Sequence, residues 1–174
     1  HTAVYTVERG SSNIGIDENE TLTMEDALYA LLLASANEVA NGIAEHISGS
    51  VDAFAELMND RAKELGCEDT HFINPHGLPN DNHYTSAYDM ALIARAFFSY
   101  ENLSTISGTA FYHINATATQ PDEIDLGNHN KMLPGTNRGS GYYYEGLVGG
   151  KTGYTDMARQ TLVTCAERDG VRLI

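Results

Sequence analysis

The residues best suited to chemistry are Gly149-Gly150-Lys151-Thr152-Gly153-Tyr154-Thr155, set ahead of the apolar run Thr161-Leu162-Val163-Thr164-Cys165. A lysine followed by a hydroxyl and a glycine, at the mouth of a strand, gathers a fixed positive charge, a short donor and an uncovered backbone. That combination suits a carboxylate. Gly-Lys-Thr also closes the phosphate-binding pattern G-x-x-x-x-G-K-[ST]. The leading glycine of that pattern falls on Glu145, which repels phosphate, and the segment that follows reads as strand rather than helix. For the tripeptide alone, a plain turn is the other reading.

A second element, Ser35-Ala36-Asn37, interrupts a helical pattern. A hydroxyl and an amide two residues apart point toward a common space if the helix breaks there. The alternative is that Asn37 merely caps the next helix. Beside Lys151, the catalytic-loop reading is preferred. Ser-x-Asn and Lys-Thr-Gly are two of the three motifs of penicillin-binding proteins and serine β-lactamases, the third being Ser-x-x-Lys.

Longer stretches carry a more specific likeness. Residues 35–41 read as a Ser-x-Asn segment opening a helix, and 54–59 as a Phe-x-x-x-Met-Asn stretch. Residues 62–66 with Thr70-His71-Phe72-Ile73-Asn74-Pro75-His76-Gly77-Leu78 match a Leu-Gly and Thr-x-Phe-x-Asn-Pro-x-Gly-Leu signature, and 85–91 a Thr-Ala-x-Asp-Met-Ala helix start. Over nearly its whole length the chain resembles the serine D-alanyl-D-alanine carboxypeptidases, the low-molecular-mass penicillin-binding proteins. One departure matters: no serine has a lysine three residues later, because Lys63, Lys131 and Lys151 follow Asp60, Asn128 and Val148 at that offset. In the family that motif lies farther upstream of Ser-x-Asn than the residues before Ser35 allow. The expectation is a fragment without its nucleophile, inactive by itself.

The resemblance implies an α+β, DD-peptidase/β-lactamase-like fold: one partial domain over 1–174, helical over about 21–100, with the Lys-Thr-Gly strand in an antiparallel sheet over about 146–174, and cut at both ends. It implies a serine attacking the carbonyl between two D-alanines of a peptidoglycan stem peptide, with β-lactams as alternative acylating ligands of the intact enzyme. Lys151 and Thr152 would take the substrate carboxylate, Gly153 would let its backbone approach, and the Tyr154 N–H would form half of an oxyanion hole. Ser35 would join the proton relay and Asn37 would bind the substrate amide. Asn128-His129-Asn130 resembles a short Asn-x-Asn element of the family, but with Lys131 next it receives no catalytic role. The resemblance also implies the bacterial cell envelope. A β-lactamase of the same superfamily and a noncatalytic peptidoglycan-binding relative are the alternatives.

Helices must position these groups. Thr23-Met24-Glu25-Asp26 is a capping box opening a helix buried along Leu28, Leu31 and Leu32, which delivers Ser35 to its end. The next helix buries Val39, Ala40, Ile43 and Ile47. A third starts at Ser50, stops at Gly66 and buries Phe54, Leu57, Met58 and Leu65. Ser86-Ala87-Tyr88-Asp89 caps a fourth, with Met90, Ile93, Ala94 and Phe97 inside, ending near Tyr100. Residues 1–16 read as two extended pieces, 109–114 as a strand, 120–125 as an acidic loop and 134–141 as turns. Segments 147–152 and 160–167 read as strands, and Arg168-Asp169-Gly170 as a hairpin turn into 171–174.

His71, His76 and His83 with Asp81 and Asp89 invite a metal, but no pair has the spacing that puts two ligands on one helix face, so no metal or cofactor is assigned. The loop over 70–84 is instead expected to brace the active-site wall. A hydrophobic fraction of 42% with 20% charged residues is that of a folded chain. Twenty-four acidic against 10 basic residues give a net charge of −14, which disfavours nucleic acid and anionic membranes and makes a locally placed Lys151 more informative. Cys67 and Cys165 have no metal spacing and read as small core residues. No run reaches membrane-spanning length. Oligomeric state is open, with association through an uncovered sheet edge as one route.

Overall fold

Helix α1 (Met24–Ala34) starts as its capping box predicts: Thr23 Oγ1 accepts the Asp26 N–H at 3.0 Å and donates to Asp26 Oδ2 at 2.6 Å. The computed structural model describes residues 7–136 and 141–174. Helix α2 (Asn37–Ser48) follows after a two-residue break. Helix α3 (Val51–Glu64) is capped by Ser50, whose Oγ accepts the Ala53 N–H, and Gly66 turns the chain out at φ 86°. Helix α4 (Ala87–Phe97) is capped by Ser86 in the same way. Helix α5 (Glu101–Gly108) was not anticipated. Only Leu103 and Ile106 are apolar in its eight residues and no side chain caps it, so packing rather than local propensity holds it.

Strand β1 (Phe111–Ile114) lies in the expected place and pairs antiparallel with β2 (Ile124–Gly127). The acidic-loop reading of 120–125 holds over 120–123 and is corrected at Ile124 and Asp125, which open β2. Asp122, Glu123 and Asp125 disguise it because one face looks to water, while Leu126 is 2% exposed. Strands β3 (Leu147–Thr155), β4 (Arg159–Arg168) and β5 (Val171–Leu173) form an antiparallel sheet in that order, with Lys151 opposite Val163. Lys-Thr-Gly therefore lies within β3 rather than at a strand mouth. Asp169 (φ 52°) and Gly170 (φ 75°) both take the left-handed conformation of a tight hairpin. Residues 7–16 form turns and extended backbone, not strands, and residues 1–6 and 137–140 lie outside the described part.

The main core joins Ala27, Tyr29, Ala30 and Leu33 of α1 to Ala36, Val39, Ile106, Ile114 and Leu126. Leu28, Leu31 and Leu32, expected on the buried face, are only half-buried; the deepest stripe is Ala27, Ala30 and Leu33. Small alanines let α5 and the β1–β2 hairpin approach the helix axis closely, and the larger leucines sit at the rim. A second cluster, Ala94, Phe98 and Cys165 with Phe97, Val148 and Val163 around it, ties α4 to the larger sheet. Ile47 is 55% exposed and Leu57 50% exposed, so the expected burial fails there. The apolar face of α3 lines an open groove of 290 Å³ with Phe72 and Ile93.

Candidate active site

The break between α1 and α2 is built by a residue in an unusual conformation. Ser35 ends α1 at φ 59°, ψ 39°, a left-handed cap more often taken by glycine, and its N–H and that of Ala36 both donate to Ala30 O. Holding a side chain there costs about 1–2 kcal/mol. Ala36 is the N-cap of α2 and Asn37 its first helical residue, so the simple capping reading of Asn37 is set aside. Asn37 is 8% exposed, and its N–H donates to Ser12 O at 3.0 Å.

Lys151 reaches this break from β3, an edge strand of its sheet. Its Nζ donates to Ser35 Oγ at 2.5 Å and to Thr152 O at 2.6 Å, bringing together residues 116 positions apart. Among the described residues no carboxylate pairs with Lys151. Burial holds its ammonium below the ordinary lysine value. The exposed His129 is likewise held low, by desolvation first and by the nearby Lys151 charge second. An unpaired, partly desolvated cation at the end of a chain break is a place for an anion. Thr152 and Gly153 follow on the same strand, as does Tyr154, which is 62% exposed and donates its hydroxyl to Asp156.

Strand β3 is pressed against α5 and β4 through glycines that the motif reading passed over. A Cβ at Gly149 would overlap Ser107 Oγ, and one at Gly108 would overlap Val148 O. At Gly150 it would stand 2.5 Å from Val163 O and 3.1 Å from Asn130 Nδ2. Thr164 Oγ1 donates to Gly149 O at 2.8 Å. Behind this seam, Asn128 Nδ2 donates to Ser107 O and Thr109 O, and its Oδ1 accepts the Asn130 N–H. Asn128 and Asn130 thus anchor the turn that carries His129. The Gly-Gly pair ahead of Lys151 was the one sequence signal for this close packing.

The loop over 70–84 is ordered by its own polar groups. Asn59 makes two backbone bonds to Phe72, His83 Nδ1 accepts the Ile73 N–H, and His76 Nδ1 accepts the Leu78 N–H. Asp89, 2% exposed, accepts from the Thr70 hydroxyl and the Asp69 N–H. These bonds tie the loop to α3 and α4, not to Ser35 or Lys151. Among the described residues no cluster of His, Cys, Asp or Glu is arranged to hold a metal.

The likeness inferred from short motifs extends over nearly the whole chain. A family model described as D-alanyl-D-alanine carboxypeptidase matches residues 1–174. The D-alanyl-D-alanine carboxypeptidase DacF of Bacillus subtilis is 35% identical over 99% of this chain, which spans 42% of that protein. The crystal structure of a D-alanyl-D-alanine carboxypeptidase from Mycobacterium tuberculosis H37Rv superposes with a TM-score of 0.81 at 30% identity, covering 98% of this chain and 60% of that one. Penicillin binding protein 5 from Haemophilus influenzae gives 0.79 at 29% identity, covering 94% of this chain and 44% of that one. The chain therefore spans about half the length of the proteins it matches. With a family model matching its full length and this fold in common with solved carboxypeptidases, the chain belongs to the D-alanyl-D-alanine carboxypeptidase family, peptidase family S11.

Proposed function

We propose that these residues form part of a serine-type D-Ala-D-Ala carboxypeptidase acting on peptidoglycan stem peptides in the bacterial envelope. The contact between Lys151 Nζ and Ser35 Oγ carries this reading, because it sets an unpaired cation and a hydroxyl in one place. Lys151 and the Thr152 hydroxyl receive the terminal carboxylate; charge-assisted bonds of this kind are worth about 1.5–3 kcal/mol net. Asn37 binds the substrate amide, Gly153 admits its backbone, and the Tyr154 N–H supplies half of an oxyanion hole. Loss of one such donor slows a reaction about 100- to 1,000-fold. A serine oxygen adds to the carbonyl between the two D-alanines, the C–N bond breaks, and D-alanine leaves with a proton relayed through Ser35. Water then hydrolyses the ester and regenerates the serine.

That serine, three residues ahead of a lysine, occurs nowhere in the 174 residues, so this chain by itself binds but does not acylate. The name of the Haemophilus relative supports penicillin as a ligand of the complete site. The test has two arms. Intact mass measured after incubation with a penicillin should show no adduct; an adduct would place the nucleophile among these residues and overturn the inactivity. Titration with an N-acylated peptide ending in D-Ala-D-Ala should perturb the NMR signals of Lys151 and Thr152, and Lys151→Ala should abolish the effect. An equal response to the L,L peptide, or no response, would count against the carboxylate site.

A further inference from the structure

Helix α2 begins without a side-chain cap, since Ala36 at the N-cap position has no acceptor to offer. Its first free N–H, on Asn37, is instead taken by Ser12 O at 3.0 Å. The segment that supplies this acceptor is in turn held by α2. Glu38, 3% exposed, accepts the Ile14 N–H at 2.6 Å and the Gly15 N–H at 3.2 Å on Oε1. Just past these two N–H groups the backbone turns at Gly15, φ 81°. Glu38 Oε2 is buried, with no partner among the described residues.

The exchange follows the logic of a capping box, spread over two distant segments: one gives a carbonyl to the helix, and the helix gives a carboxylate back. A carboxylate in the first turn also meets the positive end of the helix dipole. The place matters because Ser35 sits in a conformation that persists only when its surroundings over-determine it. On one side it is fixed by the bonds to Ala30 O; on the other, by the Asn37 bond to Ser12 O. Glu38 maintains the second.

We propose that Glu38 is a positioning residue: by holding residues 12–15 as the external cap of α2, it fixes Ser35 and Asn37 relative to Lys151. The inference concerns the geometry of the Ser35–Lys151 contact and stands whichever reaction that contact serves. It is tested on the 174-residue chain by amide hydrogen exchange and by following the Lys151 side chain through its titration by NMR. In Glu38→Ala, exchange at Ile14, Gly15 and Asn37 should quicken about 5- to 30-fold, as expected for loss of one or two buried bonds. Lys151 should titrate higher, toward an ordinary lysine, as Ser35 withdraws and water enters. Glu38→Gln keeps the accepting oxygen and should restore both signals. Glu38→Asp keeps the charge but falls short of Ile14 and Gly15, and should reproduce the alanine effect even if Glu38→Ala fails to fold. Asp89→Ala, which loosens the remote loop, should leave Lys151 unmoved. An unchanged Lys151 titration in the alanine or aspartate variant, or an equal shift in Asp89→Ala, would overturn the assignment.

Discussion

Gly150 immediately precedes Lys151, and its missing side chain is a packing requirement. A Cβ there would stand 2.5 Å from Val163 O, 3.0 Å from Thr164 Oγ1 and 3.1 Å from Asn130 Nδ2. Ordinary contact begins at 3.4 Å, so Gly150→Ala needs roughly 0.9 Å of relief. Two effects oppose each other. Restricting the unfolded chain stabilises by about 0.4–1 kcal/mol, whereas overpacking costs about 1–3 kcal/mol. Overpacking wins because the obstructing atom is a backbone carbonyl on β4 and cannot rotate away. A net loss of about 1–2 kcal/mol lowers Tm by roughly 2–8 °C in a chain of this size. If β3 takes up the displacement, the 2.5 Å bond from Lys151 to Ser35 opens to roughly 3.4 Å, near the limit of a hydrogen bond. Thermal unfolding by circular dichroism reads the first effect, and the Lys151 titration, moving upward as the contact loosens, reads the second. In an acylating enzyme carrying these residues, a shift of that size costs about 100-fold in rate. A Tm within about 1 °C of wild type together with an unmoved Lys151 would refute the argument, because the seam would then have room that the packing denies.

Two pH effects follow from buried hydrogen bonds. Tyr112 stacks on Tyr29 and donates to Asp26 Oδ1 at 2.9 Å; burial first, then Asp26, pushes its phenol up from 10.0 to about 12. Because the folded value lies above the unfolded one, its contribution is complete below pH 10 and is lost as pH rises toward 12. Tyr112→Phe should flatten the alkaline fall in Tm over that range while keeping the stack. Asp89 is held below its ordinary 3.8 chiefly by the Thr70 hydroxyl, with the Asp69 N–H assisting. Its contribution is therefore present above that value and disappears as pH falls through the lowered one. Asp89→Asn should reduce the acid-induced loss of stability and make residues 67–85 easier to cleave by limited proteolysis at neutral pH.

Much of the helical part was legible because its signals are local. Thr23, Ser50 and Ser86 each cap a helix through their own backbone neighbourhood, and Gly66 stops one through its own φ. Helix α5 and strand β2 were not legible, because their stability comes from what they pack against. Ile106 and Leu126 enter the core, but too few neighbours repeat at a helical or strand period to announce them. The same limit explains α1, where Leu28, Leu31 and Leu32 dominate the sequence pattern while Ala27, Ala30 and Leu33 are buried deepest.

By itself, the sequence determined the chemical inventory and the family likeness: a hydroxyl and amide at 35 and 37, and a cation, hydroxyl and glycine at 151 to 153. It also determined where most helices start, since a cap is a contact between residues three apart. Only the tertiary structure decided that Lys151 meets Ser35, that Ser35 is left-handed, and that Ser12, Glu38 and the Gly149-Gly150 seam hold the two in place. Those are contacts between residues far apart in the chain. They form only when burial of the shared core offsets the entropy of bringing distant segments together, and no local pattern records which segments those are.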